Sequence, residues 1–582
     1  MEAASTEGRE SLERRRWQAH LQCRAPLVLA AVAFLVWSIP LLSPVAFSYD
    51  DKEAIVTNPV VTGALPFDSA FDRDYWHHLE DAGHYRPLAT LLLRMDHARA
   101  GAPHPATFRW TNVLLHALIV GLLAAAWQRL SRTHRLPYPW FGLAVLAVHP
   151  ACADVVAWIS GRTSLVSGLG AAAGMLGIAV AARAQAVMGV CFLASALSLF
   201  GKEDGMVVAA LLPISAAALM AAPARGRDRA VRLLWGSAGS AAAIGVYAAA
   251  RAWALGDAFP SSPSAPLAHL GLLERIWIGL EAWTHGFIEF VFFWSPAPPT
   301  LPASALETAA PLVYGLLGAG VLLAATLTIS TDRSAIVALL GLFSTLVCVA
   351  PLVQIIPAGE LFAPRFLYQP MIFGAFLLHW LMCACRPKLG KSAPWVQGGL
   401  FVGMYTVSIL QAAPRYADRL SYWESHLAAE TGDPRIWNAA GQARQEIGDV
   451  EGALKAYTEA ARLDPDYGAP WGKVGELRAG DGDLDGAADA FREAIMRDPA
   501  AVIARANLGA VLLRLDRPAE ALRAYEQAIA LSPGLAPLHR GAARALFQLG
   551  LDEEADAAAR EALRLDPLDE SALRLLRRIE GR

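Results

Sequence analysis

Ser48-Tyr49-Asp50-Asp51-Lys52-Glu53 follows directly on the first apolar stretch of the chain, residues 25–47. An apolar run of about 20 residues is long enough to cross the hydrocarbon of a bilayer. This one has no small-residue cleavage site before the acids, so it reads as a retained span rather than a removable signal peptide. Two adjacent carboxylates at the mouth of such a segment are costly to keep, which makes them a functional position by default.

The totals agree with a membrane chain. Of 582 residues, 55% are hydrophobic and only 18% carry a charge, and the length exceeds what one soluble core supports. A net charge of −3 implies no general affinity for nucleic acid. The six cysteines, Cys23, Cys152, Cys191, Cys348, Cys383 and Cys385, have no metal-site spacing, and Cys383 with Cys385 reads as two small core residues at a helix end.

Spanning stretches are expected near 25–47, 110–128, 137–149, 164–182, 185–200, 205–222, 232–254, 309–330, 334–354, 366–384 and 395–413, about 11 in all. Basic residues set their sidedness. Arg14 to Arg16, Arg129 with Arg132 and Arg135, Arg225 to Arg232, and Lys388 with Lys391 all fall on one side, the cytoplasmic one. Residues 274–294 then lie between two outer loops; with Glu274, Glu281, His285 and Glu289 at helical spacing, they read as a re-entrant or interfacial helix. The outer face collects the long loop 48–109 with Tyr85-Arg86-Pro87, the stretch from His149-Pro150 to Gly161-Arg162, Lys202-Glu203-Asp204, and Glu360 with Arg365.

From about residue 434 the composition changes to Ala, Leu, Arg and Glu with regular glycines. Pro465, Pro499, Pro533 and Pro567 stand 34 residues apart, the period of tetratricopeptide repeats. In register with them lie Trp437 and Trp471; Gly441, Gly475 and Gly509; Ala453, Ala487, Ala521 and Ala555; and Tyr457, Phe491 and Tyr525. Small residues let two helices approach and each ring fills the next gap. Four repeats at 434–582 with a closing helix from Ser571 make an α-solenoid, preceded by a linker helix within 415–433. An odd number of spans from a cytoplasmic N-terminus (1–24) puts this solenoid outside, where Asn438, Gln442, Glu476, Arg540 and Arg544 would line an acceptor-binding groove or simply a solvated concave face.

A carboxylate beside a bilayer suits deprotonation of an acceptor hydroxyl as it attacks a membrane-anchored donor. If that donor is a polyprenyl-phosphate sugar, the departing phosphate needs cations. Arg86, Arg162, Lys202 and Arg365 are the candidates, with His149, Glu203, Asp204 and Tyr368 as further site residues. Displacement opposite the phosphate inverts the anomeric centre. No metal or other cofactor is required, although paired acids could hold a divalent ion. Plainer roles stand beside each: an acidic pair past a span also serves as a helix cap, Arg86 as a headgroup anchor, His149 as the end of a span, and Glu203 and Asp204 as loop residues. Lys202 is the odd one, because cationic loops are normally kept inside.

Several stretches, in this order, resemble one family: Tyr49-Asp50-Asp51 with Ala54-Ile55-Val56-Thr57-Asn58, Tyr85-Arg86-Pro87-Leu88, Asn112-Val113-Leu114-Leu115-His116, Ala147-Val148-His149-Pro150, Gly161-Arg162, Lys202-Glu203-Asp204-Gly205 and Arg365-Phe366-Leu367-Tyr368. With the repeat tail, the chain is similar to the transmembrane and tetratricopeptide repeat protein O-mannosyltransferases and their bacterial relatives, in the type C glycosyltransferase superfamily. The resemblance implies about 11 spans, a large first outer loop, a lipid-phosphate sugar donor and transfer to serine or threonine. It makes Asp50 the leading base candidate with Asp51 its neighbour, or the reverse. The chain departs from the family in having four repeats and in Thr163-Ser164 after Gly161-Arg162.

The expected fold is therefore all-α: a polytopic membrane helix bundle over 25–414, then the solenoid. The expected function is an inverting glycosyltransferase of a bacterial inner membrane, acting on a lipid-linked sugar and a protein or peptide acceptor in the periplasm. The alternatives are a non-catalytic membrane-anchored repeat scaffold and, less suited to charges on one face only, a transporter.

Overall fold

The computed structural model describes residues 24–42, 46–47, 51–75, 84–136, 138–220, 226–258, 368–369, 371–375, 379, 403–407, 409–410, 413–428 and 432–580. The spans expected at 309–330 and 334–354, the helix expected at 274–294, Asp50 and Arg365 lie outside these residues. The chain divides into two compact units, Met1–Tyr422 and Trp423–Arg582. Among the described residues every regular element is helical.

Among the described residues of the first unit, five helices are long and apolar enough to cross a membrane: Arg24–Leu41, Pro105–His134, Arg162–Val180, Ala184–Gly201 and Arg227–Leu255. Their outward faces keep large apolar side chains exposed, among them Leu27, Leu35, Leu193, Leu234 and Trp253, which suits lipid rather than water as the neighbour. Two expected spans are shorter than the sequence suggested. Trp140–Val148 has 9 residues because Pro150, lacking an N–H, stops it; at 1.5 Å per residue it rises only about 14 Å. Gly205–Leu219 has 15 residues with Pro213 inside it. Where helices cross, glycines take the contact: a Cβ on Gly170 would lie 2.2 Å from Ser198 Oγ, and one on Gly174 would lie 2.7 Å from Leu212.

Contacts between helix ends give the bundle its polarity. His134 Nε2 donates to Leu219 O at 2.8 Å, tying two helix C-termini together at one end. At the other end, the segment 51–109 folds back on the helices. It contains one-turn elements at Lys52–Val56, Pro59–Thr62 and Phe67–Ala70, followed by the helix Pro87–Ala100. Asn58 caps the second of these by accepting from Val60 and Val61 N–H. Arg94 holds the turns together by donating Nη1 to Val60 O at 2.9 Å and Leu65 O at 2.6 Å. Ala54, Ile55, Val61, Tyr75, Ala89 and Leu93 of this segment pack on Phe108 and Ile159. The described part of the segment thus packs as a small layer with its own apolar core.

The second unit begins near the short helix Arg419–Leu427 and continues as paired helices from Pro434–Glu446 to Asp552–Leu565, closed by Glu570–Glu580. Each second helix stops two residues before the periodic proline, as at Leu463 before Pro465 and Arg497 before Pro499. Asp449 and Asp483 start two of these helices by accepting the N–H of Gly452 and Gly486. Ala453, Ala487, Ala521 and Ala555 are fully buried. The aromatic rings lie flat against the glycines: a Cβ on Gly441 would meet Tyr457 at 2.6 Å, one on Gly475 would meet Phe491 at 2.8 Å, and one on Gly509 would meet Tyr525 at 2.7 Å. Burying each such ring contributes roughly 2 kcal/mol, available only because the facing residue lacks a side chain.

Candidate functional site

Asp51 is completely buried at the start of the Lys52–Val56 turn. Its Oδ1 accepts two hydrogen bonds from one residue, Ser160 N–H at 2.9 Å and Ser160 Oγ at 3.0 Å. Ser160 lies in the tight turn that leads into the helix Arg162–Val180. One turn further along, Ser164 Oγ accepts from Lys202 Nζ at 2.8 Å. Lys202 also pairs with Asp204 at 3.3 Å. Asp51 and Lys202, some 150 residues apart in sequence, are therefore tied to the same helix end, Asp51 to the turn just before it and Lys202 to its first turn. The N-terminus of a helix carries partial positive charge and favours anions nearby.

Beside them, Arg86 Nε contacts Glu203 Oε2 at 2.9 Å. Arg86 Nη2 is 3.1 Å from His84 Nδ1, and Glu203 Oε1 is 3.5 Å from that nitrogen. The Arg86 guanidinium lies over the Tyr75 ring at 5.5 Å. Burial alone would raise the Glu203 carboxyl, but Arg86 and His84 outweigh it and hold the group well below the usual carboxylate range. Burial opposes the charge on Arg86 too; Glu203 and Tyr75 more than offset this, and its pKa is raised. Tyr85 is pushed up to about 12 by burial, with Asp72 adding to it; its hydroxyl donates to Phe71 O at 3.0 Å.

Arg162 has a different occupation from the phosphate ligand expected of it. It is fully buried, with Nη1 2.7 Å from Asp96 Oδ2, Nε donating to Asn112 Oδ1 at 2.9 Å and Nη2 donating to Phe108 O at 2.6 Å. This guanidinium joins the helices Pro87–Ala100 and Pro105–His134 to Arg162–Val180. Asp96 further accepts from Thr111 at 2.8 Å and pairs with Arg99 at 3.1 Å. Asn112 donates its amide to Trp158 O at 3.0 Å and Ile159 O at 3.4 Å.

The remaining motif residues also meet in pairs. His116 Nε2 is 3.2 Å from Ala147 O, which also accepts from Trp37 Nε1 at 2.9 Å. That assigns the proton to Nε2, so His116 Nδ1 accepts from the Tyr368 hydroxyl at 2.8 Å. Ala147 lies at the end of the helix stopped by Pro150, where carbonyls lack helical partners, and His116 and Trp37 supply them. Tyr368 packs over Gly168, whose Cβ would lie 2.7 Å from its ring. His149 is buried and packs against Tyr405, ring centroids 5.3 Å apart and tilted by 56°. Residues missed in the sequence are Ser160, Ser164 and Asp96. Asp96 carried only a weak signal: a carboxylate soon after the apolar stretch Leu91-Leu92-Leu93, among Arg94, Met95 and His97. The two serines carried none.

In the repeats, Asn438 is buried and donates to the Tyr467 hydroxyl at 3.4 Å. Glu476 pairs with Lys473 at 2.9 Å and Arg540 with Asp569 at 2.6 Å. Gln442 is half-buried, and Arg544 is exposed. Among the described residues, no group of three or more His, Cys, Asp or Glu is arranged to hold a metal ion.

Residues 438–502, 474–536 and 507–570 match the tetratricopeptide repeat family. The C-terminal unit is a tetratricopeptide repeat solenoid. Over 128 residues the chain is 34% identical to Protein O-mannosyl-transferase Tmtc2 of Drosophila melanogaster, covering 21% of this chain and 13% of that protein. It is 36% identical over 129 residues to Protein O-mannosyl-transferase TMTC2 of Mus musculus, covering 21% and 15%. It is 32% identical over 138 residues to Protein O-mannosyl-transferase TMTC4 of Homo sapiens, covering 21% and 19%. These relatives are of the kind the motifs resemble, and the chain spans less than a fifth of the length of each. Among solved structures, that of MamA is similar at 22% identity and a TM-score of 0.24, covering 25% of this chain and 81% of that one.

Proposed function

We propose that the chain is an inverting glycosyltransferase that moves mannose or a similar sugar from a polyprenyl-phosphate donor to a hydroxyl of a protein. The observation that carries this is the anchorage of Asp51 and Lys202 at the N-terminal end of the helix Arg162–Val180, on Ser160 just before it and Ser164 within it. An acid able to act as base and a cation able to receive an anion then belong to one end of one membrane helix, where the helix dipole adds to the cation. The similarity to the protein O-mannosyl-transferases supports the choice of sugar transfer over other chemistry.

In the proposed step, a carboxylate of the Asp50-Asp51 pair takes the proton of the acceptor hydroxyl. The hydroxyl oxygen forms the new bond to the anomeric carbon from the face opposite the phosphate. The bond from that carbon to the phosphate oxygen breaks, and its electron pair leaves with the lipid phosphate. Lys202, with Arg86 and Arg365, is assigned to that phosphate, and Arg162 to holding the helices. The membrane is proposed to be a bacterial inner membrane, with the site and the repeats on its periplasmic side and the repeats recruiting the acceptor. A divalent ion is not needed for this step.

Purified chain is incubated with radiolabelled polyprenyl-phosphate mannose and native membranes, comparing wild type with Asp50→Asn and Asp51→Asn. Transfer that survives in both variants removes the pair from the mechanism. The relatives match only a fifth of the chain, so a repeat scaffold without chemistry is the competing outcome. It would be indicated by no transfer from mannose, glucose or N-acetylglucosamine donors.

A further inference from the structure

We propose that Ser160 is a positioning residue for Asp51, setting the direction in which the acidic pair presents its carboxylate to the reacting hydroxyl. This rests on the assignment of the pair as the base. A base must be both ionised and aimed, and a single flexible contact does neither well. Ser160 supplies two donors, its N–H and its Oγ, to the same oxygen of Asp51. The pair of contacts defines the carboxylate's plane and rotation together, which one hydrogen bond would leave free. Both residues are buried, Asp51 at 0% and Ser160 at 4% exposure, so water does not compete for that oxygen.

The turn carrying Ser160 is itself over-determined. Asn112 holds the carbonyls of Trp158 and Ile159, the two residues before it. Arg162, two residues after it, is bound to Asp96, Asn112 and Phe108 O. Gly161 between them packs so closely that a Cβ would lie 2.5 Å from Asp154 O and 2.8 Å from Val155 Cα. Ser160 therefore cannot drift, and its donors are in place before any substrate arrives. Arg109 and Arg162 are among the cations whose fields reach Asp51. Altering Ser160 leaves both in place, so a change in the proton affinity of Asp51 reports the lost hydrogen bond.

The test compares full-length wild type with Ser160→Ala, Ser160→Cys, Ser160→Thr, Asp50→Asn and Asp51→Asn, using polyprenyl-phosphate mannose and native membranes across pH, with thermal unfolding of each variant. Ser160→Ala is expected to lower kcat about 10- to 100-fold, with the donor KM unchanged. The acid limb of the profile moves to higher pH, because a hydrogen bond favouring the ionised form is gone. Ser160→Thr keeps the hydroxyl and restores most of the rate and the original limb. Ser160→Cys keeps the shape with only a weak donor, so it carries the test if the alanine variant does not accumulate, and it should follow alanine. Wild-type kcat and limb in a folded Ser160→Ala or Ser160→Cys chain, with Asp51→Asn inactive, overturn the positioning role alone. Full activity in Asp51→Asn and Asp50→Asn overturns the assignment of the pair instead.

Discussion

Glu203 shows how a single carboxylate can fasten a surface segment to a helix bundle. Its partner Arg86 opens the helix Pro87–Ala100, whereas Glu203 sits between Ala184–Gly201 and Gly205–Leu219. Both side chains are mostly buried, at 13% and 18% exposure. Replacing Glu203 by Gln leaves the guanidinium without its counter-charge and should cost about 2–4 kcal/mol, read as a drop in the detergent-solubilised melting temperature. The pH sign follows from the depressed carboxyl. Its stabilisation is fully present above the unfolded glutamate value, about 4.3, and is lost as pH falls toward the lower folded value. The gap between wild type and Glu203→Gln should stay constant from pH 7 to about 5 and close below about 4. Asp96 and Arg162 are coupled more tightly still. Asp96→Asn and Arg162→Gln should each destabilise by about 3 kcal/mol or more. The double variant should lose less than their sum, by about 1–3 kcal/mol in a thermal double-mutant cycle.

Elements in this chain are positioned by what their glycines touch, and substitutions within one helix should separate accordingly. In Gly468–Asp481, a Cβ on Gly475 would meet the Phe491 ring at 2.8 Å, while one on Gly472 would meet nothing within 4 Å. Gly475→Ala should then cost about 1–3 kcal/mol, and Gly472→Ala should be neutral or stabilise by up to about 1 kcal/mol, by chemical denaturation of the repeats. The membrane unit offers the same contrast. Gly161→Ala drives a methyl into the backbone of Asp154 and Val155, whereas Gly189→Ala meets open space. Only the first should lower the melting temperature.

As a whole, the molecule is two units divided near residue 422. Residues 423–582, produced alone, should be strongly helical by circular dichroism and unfold cooperatively, since each repeat buries its ring and alanines against its neighbours. Without those residues, the remaining chain should keep its donor KM and show a raised requirement for acceptor if the repeats recruit it. Loss of donor turnover on their removal would place part of the chemistry in the repeats.

Across the chain, local periodicity determined the elements and tertiary contact determined their partners. The 34-residue spacing of Pro465 to Pro567 and the apolar lengths of 110–128, 164–182 and 185–200 were enough to specify a repeat tail and membrane helices, because turn period, proline and hydrocarbon thickness act on neighbouring residues. The same signals could not say that Trp140–Val148 ends after 9 residues with His116 and Trp37 filling its last carbonyls. Nor could they tell that Arg162, one cation among several by composition, is enclosed by Asp96 while Lys202 stands on Ser164. The acidic pair stood out in the chain because charge beside hydrocarbon is rare. Ser160 did not, because a serine in a turn becomes a donor to Asp51 only when residues 109 positions apart are brought within 3.0 Å.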